Sequence, residues 1–157
     1  MLERFQKTFG EVDLLLIPGD HVAHKVSAKT DDPDGTAYAA VKQNLADTWA
    51  YFSEYFPKTI SLPTIGNNDG RYHNQAIDED DKDNYYSFLY DLWFKNSPQN
   101  ANLDLAQIQT DLMTAGYYRA DITDVLTVLQ VNSMYVTTDD TTTHDGEKAD
   151  TVDWLES

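Results

Sequence analysis

Asp20, His21 and His24 fall within five positions of the stretch LIPGDHVAH, and Asn67, Asn68 and Asp69 stand together in GNND, with Asn67 following Asp20 by 47 residues. These are donor types that a hard or borderline divalent metal takes: carboxylate, amide carbonyl and imidazole. A carboxylate such as Asp20 has two oxygens with several lone pairs and can bridge two ions, while Asn67 can offer a carbonyl oxygen without adding charge. His24, four residues beyond Asp20, could serve as a hydrogen-bond donor or general acid. Each stretch alone has a second reading: a Gly-Asp turn with a solvated histidine, and an Asx turn at Asn67.

Both stretches follow segments that read as strands. Residues 12–17 form an apolar run, broken only by Asp13 and stopped by Pro18-Gly19, and residues 59–65 are rich in β-branched side chains before Gly66. In open α/β sheets ligands bind beyond the carboxyl ends of strands, so the two polar turns could meet at one site. Between them, Tyr38, Val41, Leu45, Trp49, Phe52 and Phe56 recur at helical spacing, with Thr36 as N-cap candidate and Pro57 as the stop.

Further along, DEDDKD (78–83) reads as an acidic loop, residues 85–94 as an aromatic-rich helix, and NSPQNAN as a break. Leu105, Ile108 and Leu112 mark another helix. Residues 116–122 and 125–131 read as antiparallel neighbours, 137–146 as a polar acidic segment, and 147–157 as the start of a helix. Strands alternating with helices indicate an α/β layered fold in one domain.

The pairing of GDHVAH with GNND resembles the second and third motifs of the calcineurin-like metallophosphoesterases. PTIGNND followed by YHNQ, then GYYRADI, VLTVLQVNSMY and VDWLES, is similar to the acid-sphingomyelinase-like branch, including endopolyphosphatase-like members with Asn in place of the motif's histidine. The resemblance covers nearly the whole chain. It implies a layered α/β/β/α sandwich, incomplete at both ends, with residues 1–157 as the central part of a catalytic domain. It also implies a metal-dependent phosphoric ester hydrolase, a phosphodiesterase that activates water at a dinuclear site.

By that resemblance Asp20 bridges two divalent ions, zinc first with manganese, iron or magnesium as alternatives, and Asn67 is an amide ligand of one. His24 and Asn68 take the catalytic positions, His24 contacting the phosphate or protonating the leaving group. Asp69 and His73 belong to the supporting residues or the substrate cleft. The family's upstream Asp-x-His and downstream Gly-His-x-His are not in this chain. The ligand set is therefore expected to be incomplete, and the isolated chain inactive. The competing reading is a pseudoenzyme or acidic binding protein on the same scaffold. Within the enzyme reading, the substrate could be a phospholipid head group, a nucleotide or polyphosphate.

With 11 Lys and Arg against 27 Asp and Glu, the formal net charge is −16. That argues against nucleic acid or an anionic membrane held by bulk charge; metal ions would have to supply the local positive field. There is no cysteine, no N-x-S/T sequon, no signal-like leader and no apolar stretch long enough to span a membrane. The family suggests a secreted, lysosomal or vacuolar setting, and those features leave location open. His21 is expected to point away from the metals, His144 to lie in a solvated loop, and Trp49, Trp93 and Trp154 to pack in the core or between helices.

Overall fold

The computed structural model describes residues 2–136 and 145–156. Its first element is one the sequence pattern did not announce, helix α1 (Leu2–Phe9). Phe5 of α1 meets Phe56 edge-on, with ring centroids 5.9 Å apart, and Gln6 donates to the Tyr55 carbonyl. The apolar run ahead of Pro18 becomes strand β1 (Leu14–Ile17), which pairs in parallel with β2 (Ile60–Pro63), Leu14 opposite Ile60 and Ile17 opposite Pro63. A parallel pair needs a crossover, and helix α2 (Thr36–Tyr55) supplies it. Its stripe buries Val41, Leu45 and Trp49, each burial stabilising by about 2 kcal/mol.

Thr36 is the first residue of α2 and not its cap. The cap position falls on Gly35, which has no side chain to offer, and the carboxylate of Asp32 does the work from upstream. It accepts the N–H groups of Ala37 at 3.0 Å and Tyr38 at 3.1 Å. This satisfies two orphan donors and sets a negative charge at the positive end of the helix.

The DEDDKD segment is helical over most of its length. Asp78 is the cap residue of α3 (Glu79–Tyr90), and Glu79, Asp80 and Asp81 occupy its first turn, where acidic side chains favour the helix dipole. A π-helical turn, Asp91–Lys95, extends α3 and buries both Trp93 and Phe94. After a short 3-10 turn (Pro98–Asn100), the side chain of Asn100 reaches back to β2. It accepts from the Ser61 N–H at 3.0 Å and donates to the Ser61 carbonyl at 2.8 Å and the Trp93 carbonyl at 2.9 Å. One side chain thus takes the hydrogen-bonding place of a neighbouring strand.

Helix α4 (Leu105–Ala115) is capped by Asp104. It leads into the antiparallel hairpin of β3 (Tyr118–Thr123) and β4 (Leu126–Gln130). Two side chains tie the hairpin to β2: the Tyr118 hydroxyl donates to the Pro63 carbonyl and the Gln130 amide to the Leu62 carbonyl. Helix α5 (Asp145–Glu156) stacks Trp154 on Tyr117 with ring centroids 4.4 Å apart, and Lys82 bridges to its Glu147 at 3.1 Å. Residues 137–144, including His144, lie outside the described residues.

Among the described residues the protein is mixed α/β, with five α-helices, one small parallel sheet and one small antiparallel sheet. Trp49 and Trp93 are buried in the shared core and Trp154 packs against it. No helix among the described residues is long and apolar enough to cross a membrane.

Candidate functional site

Because β1 and β2 run in the same direction, their carboxyl ends emerge at one edge. The Thr64 N–H donates to the Ile17 carbonyl, carrying the pairing one step past β2. The two turns beyond it are pressed together backbone to backbone. A β-carbon on Gly19 would stand 2.6 Å from the Gly66 nitrogen, and one on Gly66 would stand 2.5 Å from Asp20 Oδ1. Neither position has room for a side chain. Gly19 has φ 97°, and Asp20 follows at φ 53°, in the left-handed region that few non-glycine residues adopt. Asp20 thereby lays its carboxylate over the second turn, where Oδ1 accepts the Asn68 N–H at 3.3 Å.

Asp69 holds the two turns to each other. It is fully buried, and its carboxylate accepts the Val22 N–H at 2.9 Å through one oxygen and the Gly66 N–H at 2.8 Å through the other. Its own carbonyl accepts from the Tyr85 hydroxyl at 2.6 Å. Burial pushes the Asp69 carboxyl above its ordinary pKa, and the Asp20 charge adds to this, against the lowering influence of His21 and the two N–H donors.

Asn67 lies within a web of polar side chains. Its amide nitrogen donates to Asn74 Oδ1 at 2.7 Å and lies 3.2 Å from His73 Nε2. The His73 ring in turn lies 6.2 Å, centroid to centroid, from that of His24, which is exposed. The segments carrying these histidines are joined by a parallel bridge, in which Ala28 donates to the Arg71 carbonyl and His73 to the Ala28 carbonyl. His24, His73 and Asn67 are therefore brought together, and Asp20 sits over the same turn as Asn67.

Asn68 is placed differently from its neighbours. It is 1% exposed, and its side-chain oxygen is buried with no hydrogen-bond partner. Its main chain makes the contacts, the N–H to Asp20 and the carbonyl to the Ser27 hydroxyl. His21 is also buried: Nε2 lies 3.0 Å from the Thr64 carbonyl and the ring packs against Trp93 at 5.4 Å. It supports the turn from beneath.

Three contributors were not singled out from the sequence. Asn74, at φ 62°, contacts Asn67 through both its main chain and its side chain. Arg71 pairs with Asp32 at 3.2 Å and also donates to its carbonyl, tying the loop before α2 to the second turn. Burial acts to raise the Asp32 pKa, but the Ala37 and Tyr38 N–H groups and Arg71 outweigh it and hold the carboxyl below its ordinary value. The run RYHNQ (71–75) carries two of these contributors, Arg71 and Asn74, but nothing in its spacing reveals a left-handed residue or a partner 39 positions upstream.

The donor types at this edge suit a divalent ion, and the orphaned Asn68 oxygen marks a turn whose polar groups are not all satisfied internally. Among the described residues, however, no group of three or more His, Asp or Glu side chains converges to hold a metal. No protein-family model matches the chain.

Proposed function

We propose that this chain is the central part of a metal-dependent phosphoric ester hydrolase, a phosphodiesterase of the calcineurin-like class and its acid-sphingomyelinase-like branch. The observation that carries the proposal is the interlock of the two strand-end turns, which sets the Asp20 carboxylate across the turn that bears Asn67. In this reading β1 and β2 belong to one sheet of an α/β/β/α sandwich, and β3 and β4 to the other. Asp20 and Asn67 would hold two divalent ions together with ligands from outside residues 1–157. Such ions supply Lewis acidity and an activated water for attack on phosphorus.

The chain's own residues take the remaining duties. His24, exposed beside His73, contacts the phosphate or gives a proton to the leaving group. His73 lines the cleft. Asn68 offers its main-chain N–H to Asp20 and, with its side chain buried, is less suited than His24 or His73 to meet substrate. Asp69 fixes the separation of the turns. Phospholipid head groups, nucleotides and polyphosphate all present the phosphoester or phosphoanhydride that these residues would handle.

The test is hydrolysis of bis-p-nitrophenyl phosphate, with Zn²⁺ or Mn²⁺, by a chain that also carries the Asp-x-His and Gly-His-x-His motifs. Asp20→Asn and Asn67→Ala are each expected to lower kcat by roughly a hundredfold or more, the scale of losing a group that stabilises the transition state. Turnover within a few fold of the parent in both variants would overturn the proposal. The open ligand shell favours one alternative, a scaffold on which partners bind without catalysis. That reading predicts no turnover in the longer chain and unchanged partner binding in both variants.

A further inference from the structure

We infer that Asn74 is a positioning residue for Asn67, fixing which end of the Asn67 amide is available to a ligand; the inference rests on the reading of Asn67 as a metal ligand. An amide has two chemically opposite ends, and only the carbonyl oxygen carries lone pairs for a cation. A turn that merely displays asparagine leaves the choice to rotation about one bond.

Here the choice is made by the loop that follows. Asn74 grips Asn67 at two points: its N–H donates to the Asn67 carbonyl of the main chain at 3.0 Å, and its Oδ1 accepts from the Asn67 side-chain nitrogen at 2.7 Å. His73 Nε2 stands 3.2 Å from the same nitrogen, as an acceptor when its proton is on Nδ1. Two acceptors match the two N–H bonds of the amide. The nitrogen is held within the 67–74 loop, and among the described residues the side-chain oxygen of Asn67 has no hydrogen bond of its own.

The left-handed conformation of Asn74, φ 62°, is what allows one residue to turn main chain and side chain onto the same partner. Asparagine is among the few residues that adopt it readily. The two contacts can therefore be separated by substitution. Asn74→Gly accepts the same backbone and loses the side-chain acceptor, whereas Asn74→Asp keeps an acceptor oxygen.

The experiment uses the whole chain free of metal, followed by NMR of the Asn67 side-chain NH2, which is identified by its disappearance in Asn67→Asp. Asn74→Gly is expected to speed exchange of these protons with water by roughly two- to tenfold, the scale of one net hydrogen bond. Backbone amide shifts at Gly66 and Asp69 should hold, and Asn74→Asp should restore the protection. Equal exchange in wild type and Asn74→Gly, or failure of Asn74→Asp to restore it, would overturn the inference.

Mn²⁺ alone is then added. Paramagnetic broadening of the Asn67 side chain that needs several-fold more Mn²⁺ in Asn74→Gly than in wild type supports positioning toward a metal. Broadening with the same Mn²⁺ dependence in both chains overturns that role. Protection without any broadening at Asn67 in the wild type overturns the metal reading of Asn67 and leaves the clamp as a structural contact.

Discussion

Gly66 and Asp20 are in direct backbone contact: a β-carbon on Gly66 would lie 2.2 Å from the Asp20 nitrogen. This contact makes one edge from two turns 47 residues apart. Gly66→Ala is expected to destabilise the protein by about 3 kcal/mol or more, because the obstructing atoms are main chain and cannot rotate away. Urea unfolding provides the check. A midpoint like that of the parent would mean that the turns separate easily.

Asp69→Asn tests what holds those turns. Two N–H donors, from Val22 and Gly66, point at the two carboxylate oxygens, and an amide has only one oxygen to return. The variant should lose about 2 kcal/mol, the cost of a stranded buried donor less the relief of a buried charge. Hydrogen exchange at Val22 and Gly66 should accelerate. If both amides stay protected, the carboxylate is not the clasp.

Asn100→Ala should cost about 3 kcal/mol, since three buried hydrogen bonds vanish together and the Ser61 N–H and carbonyl lose partners. Thermal or urea unfolding measures it. A loss below about 1 kcal/mol, the scale of a single net hydrogen bond, would show that Ser61 finds another partner at once.

The pH dependence of stability should carry the signature of Asp32. Its folded pKa is held below the ordinary value by the Ala37 and Tyr38 N–H groups and Arg71, which outweigh the effect of burial. A carboxyl depressed on folding contributes stability that is complete above its unfolded pKa of about 3.9 and is lost as pH falls through the folded value. The stability gap between wild type and Asp32→Asn should therefore be constant above about pH 5 and close progressively below about pH 4. A gap that persists unchanged into acid would assign the contribution to packing.

The parts legible in the sequence are those written as local patterns. The stripe from Tyr38 to Phe56 repeats with the period of a helix, and α2 covers Thr36–Tyr55. The apolar run before Pro18 and the β-branched run before Gly66 became β1 and β2, and their parallel pairing brought GDHVAH beside GNND. Asp69, two residues beyond Asn67, was expected among the supporting residues through the family resemblance alone.

What was not legible depends on distance or on backbone shape. Asn100 meets Ser61 across 39 residues, and Asp32 meets Arg71 across the same span. Residues 78–83 read as loop because their first helical turn has acids in place of apolar periodicity, and the stabilisation there comes from the helix dipole. Asn74 is near Asn67 in sequence, but its contact exists only because φ is positive.

The left-handed conformation of Asp20 allows the site to be examined without knowing its substrate. A non-glycine residue held in a sparsely populated backbone region costs on the order of 1 kcal/mol, and the Asp20 charge also acts unfavourably on the buried Asp69. Asparagine adopts the same region at least as readily and carries no charge. Asp20→Asn should therefore raise the urea midpoint, by about 0.5–1 kcal/mol in stability, although a residue retained for packing would lower it when replaced. Unfolding of the two purified proteins separates the outcomes: a raised midpoint is the result expected of a residue whose charge does not serve the fold, and a lowered one of a residue whose contacts do.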